Sequence, residues 1–465
     1  MTKPLSRKSF DMCPDRPLVQ QLLDAETREV PESLREDVHP EIPVDQVDAA
    51  VYTSPEIHRF EVEKMWKKVW QMACREEEIP EVGDYVVYDI ADMSFVVVRT
   101  APDEIRAYRN ACLHRGRQLK TGDGSDSRFR CPFHGFTWDL QGRLVHVPSQ
   151  WDFPHIQKEK KEWCLPQAKV GTWGGFVFIN PDLNAVPLEE WLKPIPEHFK
   201  RWRLEDRYKG IHVAKIVHAN WKATAEAFME AYHSPDTHPQ IIVYTADTNS
   251  QYDVFDPAGK VNRAIHPMAV PSPSVEGKVT AQEVVDSIVA TSGRMDTSTN
   301  DLQVPEGMTA REFMAEVNRK AFGAMGQEDL GDATDAEVLD AIVYNVFPNF
   351  APWGGYNPNI IYRWRPNGDD PNSCIMEVMI LLPYPKSGPR PAPVEVKWLE
   401  PEDSWTKAPE LGALGEVFDQ DMGNLPYVQR GLRALAAENG KVTFARYQES
   451  RIRHFHGLLQ AYLQA

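Results

Sequence analysis

Short apolar runs, YVVYDI, SFVVVRT and GGFVFIN, recur between about Gln71 and Asp182, each bounded by Gly, Asp or Asn. Runs of this length with turn residues between them predict strands, and so a small all-β unit. Ahead of it, HRFEVEKMWKKVW places Phe60, Met65 and Trp66 at helical spacing, closing a proline- and charge-rich stretch that reads as an arm. Beyond Trp191 the periods mix. IHVAKIVHAN predicts a strand running into a turn, WKATAEAFMEAYH a helix, NIIYRWRP and IMEVMILLPYP strands, and GEVFDQDMGNLPYVQRGLRAL a long helix. That succession predicts an α+β domain with a central antiparallel sheet flanked by helices. From about 250 to 340 the chain is rich in Ser, Thr and Asp with weak periodicity, and is expected to form a surface insertion or lid. The expected divisions are an arm with helices over 1–65, a β domain over 66–185 and an α+β domain over 186–465.

A chain of 465 residues is long enough for two or three domains. Hydrophobic residues at 42% and charged residues at 26% match a globular protein in water, and no apolar run has the length of a bilayer span. The opening MTKPLSRKSFDMCPDRP has basic residues without an apolar stretch behind them, so a cytoplasmic location is expected. The net charge of -17 argues against nucleic acid as a partner, because displacing counterions from phosphates needs a positive surface. Six cysteines, Cys13, Cys74, Cys112, Cys131, Cys164 and Cys374, are too sparse for a disulfide framework. Two of them stand in a metal-binding pattern.

That pattern is NACLHRGRQLKTGDGSDSRFRCPFHGFTWD, with Cys112 and His114 one residue apart and Cys131 and His134 two apart. Gly116 and Gly135 follow the histidines and allow tight turns. Four such ligands suit either a Cys₂His₂ zinc site or a [2Fe–2S] cluster in which histidines replace two thiolates on one iron. C-x-H, sixteen residues, then C-x-x-H, flanked by HRG and CPFHG, resembles the Rieske signature as found in Rieske non-haem iron oxygenases, the aromatic-ring-hydroxylating family. The resemblance implies that Cys112 and Cys131 hold one iron and His114 and His134 the other. Phe133 stands where respiratory Rieske proteins carry an extra cysteine, which points away from a respiratory subunit.

A hundred residues on, HANWKATAEAFMEAYHSPDTHPQ contains Glu226, Glu230, His233 and His238 as E-x3-E-x2-H-x4-H. Glu230 and His233 are expected to share a helix face, with Pro235 breaking the helix so that His238 swings back. Two histidines then lack a carboxylate to complete a facial triad for Fe(II). The later EVFDQDMGNLPYVQRGL resembles the family's late helix, where the ligand aspartate precedes Q-R-G by about eight residues, which indicates Asp421, with Asp419 as competitor. The resemblance implies one cluster and one mononuclear Fe(II) per subunit, a helix-grip-like catalytic domain over 186–465, and electrons arriving from NAD(P)H through a reductase or ferredoxin. It further implies a head-to-tail homotrimer, with or without a small beta subunit, in which Glu230 bridges His134 of one subunit to His233 of the next. Glu226 reads as a support for Glu230 or as a surface residue.

Arg115, Arg117, Lys120, Arg128 and Arg130 form a basic patch that either steers an acidic ferredoxin or pairs with Asp123, Asp126 and Asp139. Phe228, Met229, Phe347, Phe350 and Trp353 are the expected lining of an apolar pocket. Ring dihydroxylation of an aromatic compound is the first expectation. Hydroxylation of an alicyclic or steroid-like carbon, oxidative demethylation, and a Rieske electron carrier without oxygen chemistry are the alternatives.

Overall fold

The computed structural model describes residues 18–158, 160–291, 302–326 and 328–464, so Cys13 and the basic opening segment lie outside it. Two compact units emerge: Arg59–Trp191, and Leu192–Ala465 together with the chain up to His58. The class is α+β, as expected.

In the first unit, Asp84–Ile90, Met93–Ala101, Glu104–Arg109, Gln167–Trp173, Phe176–Asn180, Gln71–Arg75 and Gly124–Ser125 form one seven-stranded antiparallel sheet. Arg128–Arg130, Thr137–Asp139 and Leu144–His146 form a second, three-stranded sheet. Val96, Val98, Tyr108, Leu119, Phe129, Phe136 and Trp138 close a core between them that also encloses Cys112 and Cys131. The N-terminal helical pattern departs from expectation. The α-helix Pro55–Glu61 passes into a π-turn, Val62–Trp66, which shifts the angular phase. Met65 and Trp66 are therefore buried, whereas Phe60 is exposed.

The second unit is built on an eight-stranded sheet ordered Gln251–Val254, Val261–His266, Ala341–Val346, Phe350–Pro352, Asn359–Asn367, Asp370–Pro383, Arg207–Val217, Lys397–Leu399. All neighbours are antiparallel except the last pair. The stretch read as an arm belongs to this unit up to His58. Ile42, Val44, Val47 and Tyr52 share a core with Ala223, Val254 and Leu432, and Gln46–Asp48 pairs with Lys441–Thr443. Arg453 Nε donates to the Val44 carbonyl at 2.7 Å.

The segment expected as a polar insertion opens instead with two buried strands of the central sheet, Gln251–Val254 and Val261–His266. Their polar letters are mutually satisfied: Arg263 Nη2 lies 2.7 Å from Asp253 Oδ2, both side chains fully buried. Helices Ala281–Thr291, Ala310–Gly326 and Asp335–Leu339 follow, and bury Val285, Met314, Phe322 and Val338 in a core shared with Tyr244 and Ala269.

On one face of the sheet Glu377 is buried among Arg363, at 2.6 and 2.7 Å, Arg365 at 2.9 Å and His212 at 3.2 Å. Burial alone would raise the Glu377 carboxyl, yet the Arg363 and Arg365 guanidiniums hold it well below the usual carboxylate range.

Candidate metal centres

The two cysteine–histidine loops close in the same way. Cys112 N–H donates to the Arg117 carbonyl and Gly116 N–H to the Cys112 carbonyl, each at 2.8 Å. Cys131 N–H donates to Phe136 at 2.8 Å and Gly135 N–H to Cys131 at 3.0 Å. Gly116 and Gly135 hold φ of 76° and 79°, left-handed values that favour glycine. Both cysteines are unpaired in disulfides and buried, whereas His134 is exposed. The imidazoles of His114 and His134 stand at 74° with centroids 4.7 Å apart, and His114 stacks on Phe136 at the same distance. His114 Nδ1 is buried without a hydrogen-bond partner. That orphaned nitrogen, set with two buried thiols, fits a bound metal group.

A tetrahedral zinc would gather its four donors within about 4 Å of one another. Among the described residues, the groups of three or more metal-capable donors lying within 4.8 Å are His233, His238 and Asp421, and Asp37, His39 and Asp253, and the loop residues do not form one. Their wider spread suits a cluster of two irons. Of the basic residues around the loops, Lys120 pairs with Asp126, and Arg115 lies over the exposed Phe133 ring at 5.4 Å. Arg117, Arg128 and Arg130 remain at the surface.

In the second unit, helix Trp221–Glu226 is capped by the Asn220 side chain, which accepts from Lys222 N at 3.0 Å. The helix ends at Glu226, earlier than expected, so Glu230 lies beyond it in a loop and meets His233 locally rather than along a helix face. Pro235 falls in the first turn of a new short helix, Ser234–Thr237, where its missing N–H costs nothing, and His238 follows as that helix's C-cap. The result is the convergence sought. His233 Nε2 lies 3.2 Å from His238 Nε2, His238 Nε2 3.0 Å from Asp421 Oδ1, and His233 Nε2 3.5 Å from the same oxygen. A facial set with bonds of about 2.1 Å places its donors about 3 Å apart, so this trio fits a single six-coordinate ion. Asp419 is elsewhere, accepting from Ser404 Oγ and, at 2.8 Å, from Trp405 N–H.

Both histidines are oriented through the other ring nitrogen. His233 Nδ1 lies 2.6 Å from Glu230 Oε1, whose partner oxygen accepts the His233 backbone N–H at 3.0 Å. His238 Nδ1 lies 2.7 Å from Gln420 Oε1, and Gln420 and Gln240 exchange side-chain hydrogen bonds. Burial disfavours charge on His233, but hydrogen bonds to Asp421 and Glu230 reverse this and push its pKa up to about 10. A buried site this anionic calls for a cation. Glu226 is neither a surface residue nor a contact of Glu230: its carboxylate meets the Tyr52 hydroxyl at 3.0 Å and His456 Nε2 at 2.8 Å.

Gln420 and Gln429 were not foreseen. Gln429 Oε1 accepts Asn220 N–H at 2.8 Å, and its Nε2 donates to Tyr52 O at 3.2 Å and Asn372 Oδ1 at 3.1 Å. It thereby ties helix Leu414–Ala437, which carries Asp421, to the start of the helix leading into the histidines. The Gln429-Arg430-Gly431 motif was the available signal for it, and nothing in sequence marked Gln420. Replacing Gln420 with Ala is expected to weaken mononuclear iron retention by roughly 10–100-fold while leaving the cluster intact, measured by metal analysis after graded chelation.

A cavity of about 170 Å³ opens onto this trio, with Phe228, Trp353, Tyr362 and Phe418 among its walls. Met229, Phe347 and Phe350, expected there, are core residues. Met229 is fully buried. Phe347 stacks on Tyr462 at 5.7 Å, and Phe350, paired with Arg363, shares the sheet face opposite Tyr362.

Residues 197–465 match the ring hydroxylating alpha subunit (catalytic domain) family and residues 69–157 the Rieske [2Fe-2S] domain. Chloroplastic choline monooxygenase of Beta vulgaris is 30% identical over 224 residues, 46% of this chain and 50% of that protein. Biphenyl 2,3-dioxygenase subunit alpha of Rhodococcus jostii (strain RHA1) is 31% identical over 199 residues, 41% and 43% of the two chains. The chain thus spans about half the length of the curated relatives it matches. The naphthalene 1,2-dioxygenase structure from Rhodococcus sp. bound to indole shares the fold at a TM-score of 0.60 and 24% identity, covering 90% of this chain and 94% of its own. A quaternary ammonium Rieske monooxygenase does so at 0.62 and 18%, over 91% and 96%. Among the described residues no helix is long and apolar enough to cross a membrane. The chain belongs to the ring-hydroxylating alpha-subunit family, with a Rieske [2Fe–2S] domain ahead of a catalytic domain of the kind that binds mononuclear iron.

Proposed function

We propose that the chain is the terminal oxygenase of a multicomponent system that oxygenates a small aromatic ring, with cis-dihydroxylation as the reaction. The observation that carries the reading is the convergence of His233, His238 and Asp421 at the floor of an aromatic-walled cavity. In this reading Cys112, His114, Cys131 and His134 hold the cluster, and His233, His238 and Asp421 hold Fe(II). The bound ferrous ion supplies open coordination positions for activating dioxygen. Glu230 and Gln420 fix the two imidazoles, so that both present Nε2 to one point. Phe228, Trp353, Tyr362 and Phe418 exclude water and hold the ring. A cavity near 150 Å³ accepts one benzene ring, so about 170 Å³ favours a monocyclic substrate over a steroid.

Electrons would come from NAD(P)H through a reductase and ferredoxin, in the cytoplasm where that donor is available. Exposure of His134 suits transfer to a neighbouring subunit, and supports a head-to-tail trimer in which Glu230 relays between His134 and His233. Peroxide-driven turnover on a panel of substituted benzenes, read by product mass, tests the reaction. Gain of two oxygens with two hydrogens is the expected result. One added oxygen, or loss of a methyl group, would replace dihydroxylation by hydroxylation or demethylation.

A further inference from the structure

Glu230 orients His233 from a loop beyond the end of its helix, so no helical ladder holds it in place. Its position is set through the peptide units on either side. Before it, the Met229 carbonyl accepts from Arg451 Nη1 at 3.2 Å. After it, Ala231 N–H donates to the Tyr252 hydroxyl at 3.0 Å. Both anchors are fully buried and come from distant parts of the chain: Tyr252 from strand Gln251–Val254, Arg451 from the first turn of helix Ser450–Gln464.

Arg451 occupies that place at a high energetic cost. Its Nη2 is buried with no hydrogen-bond partner, and Asp253, the carboxylate that supports its charge, is itself held by Arg263 at 2.7 Å. Burial pulls the guanidinium's pKa down to about 9. A cation in the first turn of a helix also opposes the helix dipole. An apolar side chain of similar size would avoid these penalties, but it could not supply a rigid fork of donors. One prong of the fork, Nε, donates to Asn262 Oδ1 at 2.7 Å. The Asn262 amide nitrogen is turned to His454 Nδ1, at 3.1 Å and one helical turn beyond Arg451. The sheet thus fixes the fork, and Nη1 is delivered to the residue before Glu230.

We propose that Arg451 is a positioning residue for the mononuclear site, gripping the chain beside Glu230 so that the carboxylate meets His233 Nδ1 and turns Nε2 towards His238 and Asp421. This rests on the reading of that trio as the iron site. Tyr252 closes the grip from the other side.

The test follows iron rather than turnover. The full metal-loaded chain carrying Arg451→Met, with and without Glu230→Ala, is challenged with graded chelator, and nitric oxide bound at the ferrous site reports ligand geometry by electron paramagnetic resonance. Arg451→Met should release mononuclear iron roughly tenfold more readily and change the nitrosyl spectrum, while the cluster's absorption stays at its wild-type intensity. In the Glu230→Ala background the same substitution should change iron release by less than about twofold, because no carboxylate is left to align. Arg451→Lys, which keeps the charge without the fork, should recover part of the loss. An arginine that only supports the fold would weaken iron equally in both backgrounds. That result, or an Arg451→Met chain with unchanged iron release and spectrum, overturns the proposal. Should Arg451→Met fail to fold, Arg451→Lys carries the same comparison, with a smaller loss expected beside Glu230 and none without it, and an equal loss in both overturning the proposal. A wild-type chain that holds no iron beyond the cluster would overturn the site and the proposal together, whereas wild-type iron with unaffected variants removes the role of Arg451 alone.

Discussion

His233→Ala is expected to lose mononuclear iron and cut turnover by more than the roughly 100-fold typical of an outer-shell change, while the visible absorption of the [2Fe–2S] cluster stays at its wild-type intensity. The side chain is 27% exposed, so truncation removes a donor without opening a cavity in a packed core. The spectrum and the iron content separate this outcome from unfolding. Asp421→Ala should behave in the same way. Asp419→Ala should not, because that carboxylate secures Ser404 and the Trp405 backbone, and its loss should cost about 1 kcal/mol of stability with iron retained. Activity persisting in His233→Ala would remove the assignment of the site.

The largest effect on folding is expected at Glu377. Changing it to Gln keeps the shape but removes the charge shared by Arg363 and Arg365, and breaking a buried pair in this way costs about 3–5 kcal/mol. The denaturation midpoint of the variant measures it. The pH dependence has a definite sign. Because the folded carboxyl titrates well below its ordinary value of 4.5, its contribution is complete above that value and disappears as pH falls towards the folded pKa. Glu377→Gln should therefore lose more stability at pH 7 than at pH 3. An equal loss at both would show that the guanidiniums do not depend on this charge.

These features were unevenly legible. The cluster motif could be read because four ligands within two short loops are specified by spacing alone, and the loops fold locally around Gly116 and Gly135. His233 and His238 could be read from their spacing and the break at Pro235, and Asp421 only through family likeness; the helix was expected to run to the histidine, where the chain makes a helix, a turn and a second short helix. The strands at 251–266 were hidden by their own chemistry: Asp253 and Arg263 look solvated as letters and are buried because they neutralise each other. Gln420 carries no sequence mark, as its role depends on His238 arriving 182 positions away along the chain. The pocket lining failed at Met229, Phe347 and Phe350 because a buried aromatic or methionine looks the same in sequence whichever face it occupies.

The Arg453 guanidinium holds the carbonyl of Val44 across 409 residues of chain. During synthesis, at roughly 5–20 residues per second, the N-terminal segment waits about 20–80 s before its partner leaves the ribosome. For the first part of that interval, until Ala223 and Val254 are made, Ile42, Val44 and Val47 have no distant core partner, and Leu432 comes later still, whereas the β unit that follows can already close on itself. Nascent chains of this protein should thus pass through a stage with a finished iron–sulfur domain and an unprotected leading segment. Proteolysis of stalled chains would cut there first, and a chaperone hold at that segment would favour yield.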